Sequence, residues 1–218
     1  LNWYSEHFHD PDLWEALGRS LVIAFCTGLI TTFIGLWGAL ALHQWSFKFR
    51  PILQALSLVS LIIPELVLAL SLLSWFSVLH FQLNLWTVVI AHVTLTLPFA
   101  TLVMGARLQN FDNSLFEAAK DLGATSNQIV LKVTLPILKP SLIAAFLLSF
   151  LLSFDDFLVT FFTNGVGGDT LPIKLYTQMK IGLSPKLSAL SSVMLLASSL
   201  LILVLFRFRG FELFKNKE

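Results

Sequence analysis

Charged residues and cysteine are both scarce in this sequence. Aspartate, glutamate, lysine and arginine together make up 12% of the 218 residues, whereas hydrophobic residues make up 56%. A soluble domain has about 25% charged residues, so this chain cannot cover its apolar surface with polar groups in water. The composition therefore predicts an integral membrane protein. Cys26 is the only cysteine, which excludes an internal disulfide bond and a cysteine metal cluster.

The sequence also lacks the motifs of an ATP-binding protein or an enzyme. No G-x-x-x-x-G-K-[ST] string is present, so the chain does not bind ATP through a P-loop. We find no Ser/His/Asp set and no histidine cluster with metal-ligand spacing. We therefore expect no catalytic residue, metal, cofactor or nucleic-acid partner. His92 lies inside an apolar run, where a histidine that packs between helices is the simpler interpretation and a proton relay is the alternative.

Five apolar runs each approach the ~20 residues that a helix needs to span a bilayer. They cover about residues 20–42, 52–79, 85–104, 141–163 and 188–206. The predicted fold class is an all-α integral membrane protein, a bundle with five visible transmembrane helices surrounded by lipid. Residues 171–183 predict a further short surface helix. The first run has small residues at intervals that are typical of close helix packing, namely Gly28, Thr32, Gly35 and Ala39.

The lysine and arginine residues divide unevenly between the loops and so predict the orientation of the chain. One side carries ten of them, which are Lys48, Arg50, Arg107, Lys120, Lys132, Lys139, Arg207, Arg209, Lys215 and Lys217. The other side carries only Arg19, Lys174, Lys180 and Lys186. The positive-inside rule places the larger set in the cytoplasm. The acidic N-terminal segment then lies outside, and the loop 107–139 and the C-terminus lie inside.

The loop 107–139 is the one long polar interval between apolar runs, and its first half predicts a short helix. Ser114 and Glu117 have the spacing of a capping box, so a helix should begin near Leu115. Gly123 then supplies a left-handed stop.

The second half of the loop predicts another short helix. Thr125 and Gln128 repeat the capping-box spacing, and the apolar stripe that follows should end before Pro136. Neither helix is long enough to be stable alone in water, so the pair requires a surface on which to dock.

This loop resembles the EAA loop of ABC-importer permeases. The residues that carry the resemblance are Glu117, Ala118, Ala119, Asp121, Gly123, Leu135 and Pro136. In that family the loop is a coupling helix seated in a groove of the cytoplasmic ATPase, which implies an ATPase-coupling role for these residues here. An amphipathic hairpin at the membrane surface is the alternative interpretation.

The resemblance also implies boundaries. Permeases of this kind typically have six spans with both ends inside, so we expect a first span before Leu1 and a periplasmic segment over residues 1–19. The transmembrane permease domain would then cover residues 20–208, with the coupling loop at 107–139, and residues 209–218 would form a cytoplasmic tail. The expected location is the bacterial inner membrane.

Three acidic residues lie at membrane depth. At ~1.5 Å per residue, Glu65 is roughly 20 Å along its predicted helix from Ile52, and Asp155 is roughly 21 Å from Ser141. Both positions fall in the outer half of a ~30 Å hydrocarbon core, and Asp156 follows directly. No lysine or arginine within either span neutralises these acids. Intramembrane acids mark ion or substrate pathways, so the sequence predicts a negatively lined pathway for a cationic solute.

Neighbouring residues add to this predicted pathway. Pro64 should break or kink the helix before Glu65. Aromatic side chains nearby in sequence offer faces to an amine by cation–π attraction, and they are Trp75, Phe154, Phe157, Phe161 and Phe162. The alternative, strongest for Asp156, is an acid that caps a broken helix.

Three strings narrow the resemblance to the spermidine/putrescine importer permeases, specifically their PotC-type subunits. These strings are Ser-Phe-Asp-Asp at 153–156, Leu-Pro-Ile-Lys-Leu-Tyr at 171–176 and the stretch 182–190. The resemblance implies a heterodimer with a PotB-type permease, two copies of an ATPase that holds ATP and Mg²⁺, and a periplasmic polyamine-binding protein.

Other functions remain open at this point. An importer of another solute, such as ferric iron or thiamine, would share the coupling loop. An ion-coupled secondary carrier would also place carboxylates in the membrane but would leave that loop unexplained. A membrane-embedded enzyme would need a nucleophile or metal set that the sequence lacks.

Overall fold

The computed structural model describes residues 11–44, 51–52, 55, 61–109 and 114–182, and, beyond these, 188, 191–192, 194–196, 198–200 and 203. Within this part the elements are α1 Pro11–Gln44, α2 Glu65–Val78, α3 Leu85–Gln109, α4 Ser114–Asp121, α5 Ser126–Ile129, a π-helical turn Val130–Thr134, α6 Leu135–Phe154, α7 Leu158–Thr163 and α8 Leu171–Ile181. The described part of the chain is therefore all-α, as predicted.

Three helical segments of the described part are long and apolar enough to cross a membrane. They are Pro11–Leu42, Leu85–Gln109 and Ser126–Phe154. The first begins at Pro11 rather than near residue 20, so part of the predicted leader 1–19 is helical. Most of the predicted run 188–206, the loop that holds Lys48 and Arg50, and the tail 209–218 lie outside the described residues.

The helices α1, α3 and α6 pack against one another and form the centre of the described bundle. Glycines allow this close approach, because a Cβ atom on Gly28 would lie 2.9 Å from the ring of Phe146 in α6. A Cβ atom on Gly35 would lie 3.1 Å from the Cβ of Ala100 in α3. The prediction that small residues of the first run face neighbouring helices is confirmed.

The α5 helix ends at Ile129, before Pro136, but the helical backbone continues past the proline instead of stopping there. The π-helical turn Val130–Thr134 leads directly into α6, which has Pro136 in its first turn. In that turn the N–H of Leu135 donates to the carbonyl of Val130, five residues back. Because this wider turn re-registers the backbone just before the proline, the missing N–H of Pro136 leaves the helix intact.

Two of the predicted spans contain breaks. The backbone is non-helical at residues 63–64 and α2 begins at Glu65, so the predicted break at Pro64 is confirmed. The run 141–163, predicted as one span, is divided, since α6 ends at Phe154 and α7 begins at Leu158. The helices that follow the two breaks, α2 and α7, pack against each other.

The predicted short helix after residue 170 is present as α8, which packs on the N-terminal part of α1. The N–H of Leu171 donates to the Ser20 hydroxyl at 2.9 Å, and Lys174 pairs with Asp12 at 3.2 Å. Leu171 and Ile173 are buried, so only one side of this surface helix faces outward.

Candidate functional site

Asp156 is a buried carboxylate at the break between α6 and α7. Only 7% of the residue is exposed. Its Oδ1 lies 3.0 Å from Nε2 of His92 and accepts hydrogen bonds from the Thr160 backbone N–H at 2.8 Å and the Thr160 hydroxyl at 3.0 Å. The N–H of Val159 donates to Oδ2 at 3.5 Å. These donors lie at the N-terminal end of α7, where backbone N–H groups are free to bind a carboxylate.

His92 on α3 is the side chain that holds Asp156 from the opposite side. It is 1% exposed, and its Nδ1 lies 2.7 Å from the Ser153 hydroxyl. Its Nε2 also lies 2.9 Å from the Thr160 hydroxyl. Both ring nitrogens therefore have partners, which is the arrangement of a histidine that packs between helices.

Sequence reasoning did not identify His92 as the partner of Asp156. A usable signal was present: His92 is roughly 10 Å along its run from Leu85, and the run 85–104 is expected to point in the opposite direction to 141–163. Counted from the same membrane surface, His92 and the aspartates fall at a similar depth. Depth alone does not determine which sides of two helices face each other.

Glu65 is exposed at the first position of α2, directly after the Pro64 break. Its carboxyl group lies close enough to that of Asp156 for the two to interact. The structure therefore brings together two of the three predicted acids, one anchored in the protein interior and one at the surface. An ammonium group, with three N–H donors, has the chemistry to bind at such a pair.

Asp155 lies next to Asp156 in sequence but has a different partner. It is exposed, and both of its carboxylate oxygens accept from the Ser198 hydroxyl, at 3.0 and 3.2 Å. Asp155 therefore presents a second carboxylate at the same helix break, and Asp156 alone is committed to the His92 network.

Two of the five aromatic residues predicted for the pathway, Phe154 and Trp75, occupy different environments. Phe154 is buried in the core and its ring stacks on Phe150, with centroids 6.1 Å apart and planes 10° apart. Trp75 is 61% exposed and lies roughly 15 Å along α2 from Glu65. Neither observation places an open aromatic face of these residues beside the acids.

Residues 114–129 contain the two predicted short helices, α4 and α5. Gly123 has φ +80°, its N–H donates to the carbonyl of Lys120, and the N–H of Ala124 donates to the carbonyl of Ala119, which is a Schellman motif. Thr125 and Gln128 form a reciprocal capping box.

The predicted ATPase-coupling residues lie on the outside of this loop. The α4 helix has no buried residue, and its apolar Leu115 and the following Leu122 are 45% and 88% exposed. Exposed positions include Glu117, Ala118, Asp121, Gly123 and Pro136, while Ala119 and Leu135 are half-buried.

No group of three or more His, Cys, Asp or Glu side chains among the described residues is placed to hold a metal ion.

Comparisons with known proteins show which family the chain belongs to. Residues 31–211 match the family described as "Binding-protein-dependent transport system inner membrane component". The chain is 35% identical over 203 residues to the spermidine/putrescine transport system permease protein PotC of Haemophilus influenzae, and the match covers 93% of this chain and 79% of the relative. It is 32% identical to the putrescine transport system permease protein PotI of Escherichia coli K12, covering 88% of this chain and 71% of the relative.

Solved structures share the fold. A chain of the inward-facing MetNI methionine ABC transporter matches with a TM-score of 0.75 at 20% identity, covering 91% of this chain and 95% of that one. An amino acid ABC transporter matches with a TM-score of 0.72 at 16% identity, covering 95% and 97%. The chain therefore belongs to the family of binding-protein-dependent transport system inner membrane components, and it is a multi-pass permease of the inner membrane.

Proposed function

We propose that this permease takes up polyamines, spermidine or putrescine, by ATP-driven alternating access. The observation that carries the proposal is the acidic cluster at two adjacent helix breaks, with Glu65 against Asp156 and Asp155 beside them. Polyamines are linear chains with ammonium groups, and carboxylates lower the cost of moving such groups through the membrane. The relatives named for spermidine and putrescine transport support the same substrate class.

The three acids have different roles in this proposal. Asp156 is held by His92 and Thr160, so it keeps one position and acts as a fixed negative charge. Glu65 is exposed and follows a break, so its side chain is free to turn from Asp156 to an ammonium group. Asp155 supplies a second carboxylate for the same solute.

The coupling loop requires partners. We propose that α4 docks into a groove of an ATPase and that two copies of this ATPase hold ATP and Mg²⁺. The exposed Leu115, Glu117 and Leu122 supply the apolar and acidic contacts of this interface. A PotB-type permease would complete the membrane pathway, a periplasmic polyamine-binding protein would deliver substrate, and the loop 107–139 would lie on the cytoplasmic side.

The test of the substrate assignment is Glu65→Gln in the assembled transporter, reconstituted in proteoliposomes with the binding protein. Loss of one hydrogen-bonded charge should raise the KM for spermidine roughly tenfold or more, because charge-assisted hydrogen bonds contribute about 1.5–3 kcal/mol. Asp169→Asn is the matched control, since it removes an exposed carboxylate that belongs to neither break but to the connection between α7 and α8. Equal KM values for the two variants, at equal complex yield, would refute the role of Glu65.

A further inference from the structure

Three aromatic rings form a platform beside the acidic break. Phe157 directly follows Asp156, and its ring centroid lies 4.6 Å from that of Tyr176 on α8 and 5.4 Å from that of Phe161 on α7. Phe161 and Tyr176 are 6.1 Å apart with planes at 71°. We call Phe157, Phe161 and Tyr176 the aromatic platform. Phe161 is 48% exposed and the other two are half-buried, so the platform is accessible at its edge.

A lysine ammonium lies on this platform. The Nζ of Lys180 is 4.8 Å from the Tyr176 ring centroid, within cation–π range. The neighbouring cations bind carboxylates instead, with Arg19 paired to Glu15 at 2.7 Å and Lys174 to Asp12 at 3.2 Å. Across the described part of the chain, Lys180 takes part in no ion pair. Lys180 follows Tyr176 by four residues on α8, the spacing at which side chains on one helix surface meet.

We infer that the aromatic platform is an additional binding site for a primary alkylammonium group, and that Lys180 is a tethered occupant which the substrate displaces. The end of a lysine side chain is itself an alkylammonium, so the structure contains the interaction that such a ligand would make. Phe157 joins the platform to the Asp155–Asp156 break, so one ammonium group of a linear diamine would bind the acids and another would bind the rings. This inference rests on the proposed function.

The contact between Lys180 and the Tyr176 ring is weak enough for a substrate ammonium group to displace the lysine. Because Lys180 is exposed, its contact with the ring is weak, and it would compete with substrate by a factor of roughly two to five. Removing the lysine should therefore strengthen substrate binding, whereas removing the ring should weaken it. A residue that only stabilises α8 would not produce opposite signs in this way.

The experiment measures the KM for putrescine and spermidine uptake by the complete transporter in proteoliposomes. We expect Lys180→Gln to lower KM roughly two- to fivefold and Tyr176→Leu to raise it by a similar factor. Tyr176→Phe keeps the ring face and should leave KM near that of the wild type. In the Tyr176→Leu background, Lys180→Gln should no longer change KM. Without the Tyr176 ring, the lysine does not occupy the site, so its removal frees nothing for the substrate.

Three results would overturn the inference. An unchanged or higher KM in Lys180→Gln would show that the lysine does not compete with substrate. A fall in KM of the same size in the Tyr176→Leu background would assign the effect to general charge repulsion rather than to the ring. Absence of polyamine uptake by the wild type would refute the proposed function itself, and the inference with it. If Tyr176→Leu fails to assemble, Lys180→Gln and Tyr176→Phe still decide the outcome.

Discussion

At the scale of single residues, the structure separates acids that sequence position groups together. Asp155 and Asp156 are adjacent in sequence. Asp155 is exposed and accepts a hydrogen bond from a serine, whereas Asp156 is buried against a histidine. The sequence predicts that acids lie at membrane depth and that Pro64 breaks a helix, because both follow from chain geometry. It does not predict the partner of Asp156, since the rotation of α3 relative to α6 depends on packing.

The Asp156 network makes a direct prediction for His92. His92→Ala would leave a buried carboxylate without one of its hydrogen-bond partners, which should cost about 1.5–3 kcal/mol of stability. His92→Gln keeps an N–H donor and should recover part of this loss. The measurement is the thermal unfolding of the purified complex.

Thr94→Ala is the control for these variants. Thr94 lies on the same helix, but it is exposed, and within the described part of the chain its hydroxyl donates to the carbonyl of Ile90 in its own helix. If His92→Ala unfolds at the same temperature as Thr94→Ala, the assignment of His92 as the anchor of Asp156 is wrong.

At the scale of elements, the close packing of α1 on α6 makes a second prediction. A Cβ atom at Gly28 would lie 2.9 Å from the Phe146 ring and 3.2 Å from the Phe146 carbonyl oxygen, so Gly28→Ala should lower the free energy of unfolding by about 1–3 kcal/mol. At Gly38 the nearest atom to such a Cβ is 3.9 Å away. Gly38→Ala should therefore be neutral or stabilise the helix by up to about 1 kcal/mol. Chemical denaturation in detergent compares the two, and equal effects would contradict the packing described.

The coupling loop makes a third prediction, in which only the backbone conformation differs between variant and control. A Cβ atom added at Gly123 or at Gly105 would have no neighbouring atom within 4 Å, but Gly123 has φ +80°. Gly123→Ala should cost about 1–2 kcal/mol of local stability and reduce uptake per ATP hydrolysed. Gly105→Ala in α3 should be neutral or stabilise the helix by up to about 1 kcal/mol and should leave uptake per ATP unchanged. A ratio of uptake to ATP hydrolysis equal to wild type in Gly123→Ala would argue against a coupling role.

Local sequence signals predict the two short helices of this loop, but they do not predict how the loop continues into α6. Capping residues and a left-handed glycine act over a few positions, so their spacing is sufficient to predict α4 and α5. The local pattern predicts that the second helix ends before Pro136, but the π-helical turn accommodates the proline. Such a turn depends on how α6 packs in the bundle, and a local sequence pattern carries no information about that packing.

At the scale of the whole molecule, composition and the length of the apolar runs predict the fold class. With 12% charged residues, the chain has too few polar groups to cover its apolar surface in water. The three long helices and the family membership agree with that class. Orientation comes from the distribution of lysine and arginine and stays a prediction. The substrate class depends on which carboxylate side chains lie close together. These side-chain positions are the feature of the structure that the sequence predicts least well.

The measurement that tests the central claim most directly is labelled putrescine uptake by cells that carry the complete transporter with or without this subunit. Unlabelled putrescine, spermidine, thiamine and arginine serve as competitors. We predict that uptake is lost without the subunit and is blocked only by the two polyamines. Uptake that is indifferent to the subunit, or that thiamine or arginine blocks equally well, would contradict the assignment of this permease to polyamine import.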